Sequence, residues 1–215
     1  NKQLSGSSRP NWFVFASNYT LQKYFSNKWA NMAVADWQIG AVLQYGSGLP
    51  IQAPTVTTNN NANTLLRGTY SQRVPGQPLY LVDNINCGCF DYGRTQILNP
   101  AAWTDPANGQ FSTSAAYYND FRTQRRPSEL ASIARVFRIK EGISLMIRAE
   151  FTNVMNRTLV ATTNTAGFVD PSTNRGQALV RDAATGVFTS GFGTINTLGN
   201  IGGQRQGTLV GRLTF

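Results

Sequence analysis

Two cysteines one glycine apart, in the stretch NCGCFD, are the residues of this chain whose spacing most invites chemistry. Cys87 and Cys89 would hold a metal only with ligands from elsewhere, and the chain has no other cysteine and no histidine to supply them. Two readings stay open: a local disulfide formed in an oxidising compartment, or two free loop thiols. The lack of histidine also removes His-based triads and imidazole acid–base work. The ten acidic residues stand singly, each reading as a solvated loop charge or a salt-bridge partner, and neither a Walker loop nor a G-x-G-x-x-G occurs. The expectation is a non-enzyme without metal or cofactor.

Nineteen Lys and Arg, fifteen of them arginine, give a formal charge of +9. Such an excess suits an acidic partner, either nucleic acid or the phosphates of an outer-leaflet glycolipid. Arg67, Arg73, Arg94, Arg122, Arg125 and Arg126 are spread through one long irregular region and do not cluster on a helix or tail. Basic loops are therefore expected, and no nucleic-acid partner. No apolar run approaches the ~18 residues of a membrane helix. The chain starts at Asn1 with neither an initiator methionine nor a basic-then-apolar leader, and it reads as a piece of a longer protein.

The elements that must position these residues have period two. In NWFVFASNYTLQKYF the odd positions Phe13, Phe15, Tyr19 and Leu21 are apolar. DWQIGAVLQYGSGLP sets Trp37, Ile39, Ala41, Leu43 and Tyr45 against Gln38, Gly40, Val42 and Gln44, then breaks at Gly46, Gly48 and Pro50. SIARVFRI turns through Lys140, Glu141 and Gly142 into ISLMIRAEFTN, a tight antiparallel hairpin. There Ile143, Leu145, Ile147, Ala149 and Phe151 oppose a face holding Arg148 and Glu150, which can pair with each other or across strands. The last strand alternates from Leu209 through Gly211 and Leu213 to Phe215.

Connections of about nine and about three residues alternate with one of about eighty and another covering roughly 155–203. Both long ones read as largely without regular structure, apart from NPAAW, where Asn99 caps a short turn with Pro100 at its first position. Loops longer than ~15 residues argue against a compact soluble domain. In a transmembrane β-barrel, ~10-residue alternating strands, short periplasmic turns and long external loops are the rule. The fold class expected is all-β, a transmembrane antiparallel β-barrel segment with long extracellular loops. If Ile133, Phe137 and Ile139 face lipid, so does Arg135, at ~2–4 kcal/mol near the midplane and almost nothing at an interface. A bulge or a lower position would remove the conflict.

Over nearly its whole length the chain resembles the C-terminal end of TonB-dependent outer-membrane receptors. It is most similar to the Oar-like group with a carboxypeptidase-regulatory-like N-terminal domain. The blocks that carry the resemblance are WQIGAVLQYGSGLP, CFDYGRTQILNPAAWTDP, YYNDFRTQRRPSE, FRIKEGISLMIRAEFTNVMNR and GTLVGRLTF. It implies that residues 1–215 are the last about five strands of a barrel of about 22 around a plug. Transport is then driven by the TonB complex, reached through an N-terminal part that this sequence lacks. The resemblance also makes Phe215 the aromatic read by the barrel-assembly machinery, with Leu213 and Leu209 on its face.

The expected function is uptake of a large or scarce solute across the outer membrane into the periplasm; which solute stays unknown. Gln44, Arg148, Glu150 and Arg212 are candidates to line the lumen, as ordinary polar lining or as solute contacts. Arg122, Arg125 and Arg126 are candidates to meet glycolipid phosphates, because arginine forks match phosphate oxygens; the rival reading has them serve internal salt bridges or cap carbonyls. Two other functions compete. A soluble β-sandwich binding module would need its apolar faces to meet each other, and a non-transporting surface receptor or adhesin would share the barrel.

The terminal strand supplies a paired test. Phe215→Asp in the full-length protein puts a charge at the periplasmic interface, where the direct cost is only ~0–1 kcal/mol. An assembly signal at Phe215 predicts much more, namely loss of the protein from the outer membrane. Thr214→Asp, facing the lumen, should be mild. Equal outer-membrane yields would reduce Phe215 to a well-placed hydrophobe, and reversed losses would shift the strand by one residue.

Overall fold

The computed structural model describes residues 4–56, 70–107, 110–157, 163, 168, 179–198 and 203–215; Arg67 lies outside them. In chain order the strands are β1 (Trp12–Thr20), β2 (Trp37–Gly46), β3 (Pro50–Gln52), β4 (Gln72–Arg73) and β5 (Trp103–Thr104). They continue with β6 (Tyr117–Arg122), β7 (Ser128–Lys140), β8 (Ile143–Thr152), β9 (Val180–Arg181), β10 (Phe188–Ser190) and β11 (Gln206–Thr214). One short helix, α1 (Lys28–Val34), stands between β1 and β2. The chain forms two compact units, one of residues 11–46, 126–158 and 203–215, the other of residues 1–10, 47–125 and 159–202.

The first unit is a five-stranded antiparallel sheet in the order β1-β2-β7-β8-β11. Its strands have nine to thirteen residues, the length that crosses a hydrocarbon core when tilted. Directly opposed residues share a face, so the register resolves each face into rows. One row of the apolar face runs Tyr19–Ile39–Ile133–Ala149–Leu209, and the next runs Trp37–Arg135–Ile147–Gly211. Most of this face is bare: Ile39, Ile133, Ile147 and Leu213 are exposed, Leu209 is 75% exposed and Phe215 93%. So large an apolar surface demands a non-aqueous neighbour. The β7–β8 hairpin turns at Gly142, whose φ of +80° is the left-handed conformation that glycine adopts without penalty.

Three sequence expectations need correction here. Strand β7 starts at Ser128, four residues before the alternation of SIARVFRI suggests, and so takes in Glu129. The connection between β1 and β2 runs over residues 21–36 and contains α1, because Asn27 accepts a hydrogen bond from the Trp29 amide and nucleates a turn. Arg135 keeps its place on the apolar face without a bulge, since the β7–β8 register stays regular there and shifts only between Arg138 and Lys140. Its position, opposite Trp37, is at the aromatic end of the face. The guanidinium lies over the Trp37 ring at 5.3 Å and the Phe137 ring at 4.9 Å. At such a belt the cost of a charge is small.

The second unit gathers the long connections. It is not the open loop its composition suggests, because Ile51, Leu79, Ile97, Leu98, Trp103, Phe121 and Phe192 close into one buried core. The small pairings β3 with β6, β4 with β5 and β9 with β10 frame it. Asn99 caps a 3-10 turn, Pro100–Ala102, by accepting from the Ala101 amide, as the NPAAW stretch leads one to expect. Gly193 joins the two connections: its carbonyl accepts from the Ile97 amide at 2.7 Å, and its φ is +75°. A Cβ there would lie 2.7 Å from both the nitrogen and the oxygen of Leu98, so only glycine fits.

Tyr80 sits at the edge of this core, its hydroxyl donating to the Arg122 carbonyl at 2.8 Å and accepting from the Arg122 amide at 2.6 Å. Burial pushes its ionisation up to about 12 from the ordinary 10.0. A raised folded value means that the neutral form is favoured by folding, so the contribution is complete below pH 10 and is lost as pH rises through about 12. Protease resistance of this unit should therefore fall across that window. Tyr80→Phe should flatten the fall by on the order of 2–3 kcal/mol. An unchanged pH profile in Tyr80→Phe would disprove the assignment.

Candidate functional site

The polar face of the five-stranded sheet holds the residues most able to contact a solute. Its central row, Asn18–Gly40–Ser132–Glu150–Thr208, is small or polar on all five strands. The row below it runs Thr20–Gln38–Ala134–Arg148–Val210. Arg148 Nε donates to Glu150 Oε1 at 2.8 Å, so these two neighbours on β8 pair with each other. Gly40 leaves a groove of ≈280 Å³ bordered by Asn18, Val42, Leu130, Ser132, Arg148 and Glu150. A Cβ at position 40 would come within 2.6 Å of Ser132 Oγ, which would have to rotate away.

Of the sequence-derived lumen candidates, Arg148, Glu150 and Arg212 occupy contiguous rows: Arg212 opposes Met146, two residues along β8 from Arg148. Gln44 shares their face but stands two rows beyond Glu150, opposite Val14 and Ser128, and does not join them. Leu209 and Leu213 lie together on the apolar face, opposite Ala149 and Leu145. Among the described residues no three His, Cys, Asp or Glu side chains gather into a metal-sized cluster.

Cys87 and Cys89 are joined by a disulfide in the second unit, with 5.2 Å between their Cα atoms. The turn is held by Tyr92, whose hydroxyl donates to the Cys87 carbonyl at 2.9 Å. Arg122 does not reach out to glycolipid, which corrects the expectation for that residue. Its guanidinium donates to the carbonyls of Asn119 (2.8 Å), Ser8 (2.7 Å) and Gly48 (3.0 Å) and to Asn119 Oδ1 (2.7 Å). A guanidinium so occupied is a carbonyl cap. Arg125 and Arg126 are exposed, and the Arg125 amide donates to Asn86 Oδ1 at 2.8 Å.

One cluster escaped the sequence reading. Glu129 lies on the apolar face, opposite Leu43, with its side chain 1% exposed. Its Oε1 accepts from Tyr45 Oη at 2.8 Å and from Arg157 Nε at 2.9 Å, and its backbone carbonyl accepts from the Val154 amide. Asn153 folds the chain back so that Arg157 arrives, its Oδ1 accepting from the Arg157 amide at 2.8 Å and its Nδ2 donating to the Gly203 carbonyl. Extending the period-two pattern of β7 upstream would have exposed an acid in an apolar row, and that was the available signal.

Long alternating strands, one apolar face, one polar face and an aromatic belt define the wall of a membrane β-barrel. The chain belongs to the family described as outer membrane beta barrel domain, whose model matches residues 1–207. It is an outer-membrane protein, and the soluble sandwich reading falls. Comparison with curated proteins and with solved structures returned no match.

Two of the ion pairs made by sheet residues, Arg157–Glu129 and Arg148–Glu150, should respond differently to truncation. Arg157→Ala leaves a buried carboxylate with one donor fewer and should lower barrel stability by about 2 kcal/mol. Arg148→Ala breaks a half-exposed pair and should cost below about 1 kcal/mol. Urea unfolding of the lipid-reconstituted full-length barrel measures both, and an equal loss would remove the special status of Glu129.

Proposed function

We propose that this barrel segment belongs to a TonB-dependent receptor of the Oar-like group, which takes a large or scarce solute into the periplasm and has no enzymatic role. The observation that carries the reading is the core of the second unit. The long connections of outer-membrane barrels are external. Here they bury Ile97, Leu98 and Trp103, all from the block CFDYGRTQILNPAAWTDP, and thereby hold a defined outer surface. A passive pore has no need of one; a receptor that selects a scarce ligand does. The groove over Gly40 and the Arg148–Glu150 pair then belong to the lumen wall along which the solute passes.

The partners follow from this reading. The five strands leave β1 and β11 each with an open edge, and since membrane barrels need at least about eight strands, others must complete the ring. The barrel-assembly machinery is the partner of the terminal strand, and Arg125 and Arg126 are the remaining arginines for glycolipid phosphates. A surface adhesin would use the same folded loops, so coupling to energy is what separates the two. Full-length receptor, shown to be folded by heat-modifiable migration, should be retained by the immobilised periplasmic domain of TonB. A folded receptor that washes through would leave the adhesin.

A further inference from the structure

Beneath the aromatic belt, between α1 and the lower part of β7, lies a pocket of ≈430 Å³ lined by Lys23, Lys28, Arg135, Arg138, Phe137 and Asp36, among others. The residue 21–36 connection that forms one side is held against the apolar face of the sheet. Tyr24 Oη shares a hydrogen bond with Tyr19 Oη, and Trp37 Nε1 donates to the Ala33 carbonyl at 2.8 Å; both Tyr19 and Trp37 belong to that face. The pocket thus reaches the apolar face at the end of the sheet, where Arg135 and Phe137 line it, while Val136 and Arg138 line it from the polar face. Tyr24, Phe25 and Trp29, the last 73% exposed, present large rings beside it. Rings of this kind, apolar in body and polar at one edge, settle at the headgroup level.

Its charge is one-sided. Asp36 is engaged by Arg138 at 3.0 Å, and three further cationic side chains, Lys23, Lys28 and Arg135, stand around the same space. Arg135 stands over two rings, those of Trp37 and Phe137. Lys23 and Lys28 have no carboxylate partner among the described residues. A cluster of cationic donors beside an apolar wall matches a ligand with an anionic phosphate on an acyl body. Residues 21–36 and the turn at 141–142 are the shorter connections of the five-stranded sheet, against 47–127 and 153–205, and in such barrels the shorter side is periplasmic.

We propose that this pocket binds the headgroup of an anionic glycerophospholipid of the periplasmic leaflet, seating its phosphate among Lys23, Lys28 and Arg135 and its acyl chains along the Ile147 and Leu209 rows. The proposal rests on the barrel and its orientation but not on TonB coupling. It therefore stands or falls separately from transport.

The test uses the full-length barrel purified in non-ionic detergent and observed by native mass spectrometry with added phosphatidylglycerol, phosphatidylcholine, outer-leaflet glycolipid or inorganic phosphate. Phosphatidylglycerol should be retained over phosphatidylcholine. Lys23→Gln with Lys28→Gln should reduce its retention about 30-fold, the effect of two interfacial cations at about 1 kcal/mol each. Lys23→Arg with Lys28→Arg should restore it, which controls for folding. Equal retention by the parent and the glutamine variant would overturn the site, as would equal binding of the two phospholipids. Displacement by inorganic phosphate at matched concentration would mean a free-anion site, and preference for the glycolipid would place the pocket on the wrong leaflet; each outcome refutes the proposal.

Discussion

In hydrocarbon a backbone amide has no water to turn to, and every other feature of this protein is arranged around that constraint. The ladder of the five-stranded sheet satisfies the inner strands on both sides, and its register decides which side chains meet lipid. A shift by one residue in β11 would send Arg212 into the apolar row and Leu213 into the lumen. The polar groove, the aromatic belt and the basic pocket all inherit their composition from that single alignment.

Arg135 and Glu129 both sit on the apolar face, and the ways they are tolerated differ. Arg135 stays at the belt, where stacking on Trp37 and Phe137 lets its aliphatic stem remain among apolar neighbours while its donors reach the interface. Glu129, near the opposite end, is enclosed and holds donors from β2 and from the segment after β8 on one oxygen. The acid ties three stretches of chain together, although a buried ion pair gains little net free energy over an apolar replacement.

The sheet was legible because period two survives in each strand: Phe13, Trp37, Ile147 and Leu213 can be assigned to one face from the sequence alone. Glu129 was not, because an acid just before the apolar run reads as the end of a loop until the pairing with Leu43 is known. The helix α1 was hidden for a different reason. Its seven residues are too few to show a helical repeat, and only the cap at Asn27 marks it. The core of the second unit was illegible because Ile51, Leu79, Phe121 and Phe192 come from separate irregular stretches, and no local period connects them. Its Cys87 and Arg122 were visible as residue types, but their partners are set by a three-dimensional fold that spacing does not encode.

The buried core of the long connections gives the chain two kinds of evolutionary freedom. The strands must keep their alternation to remain in the membrane, whereas the second unit is constrained inside by Trp103, Phe121 and Gly193 and is free outside. Its exposed positions can change without disturbing the alternation of the strands, much as the surface of a soluble domain drifts while its interior stays fixed. Change on the surface of the second unit is thereby uncoupled from the alternation that the strands must keep.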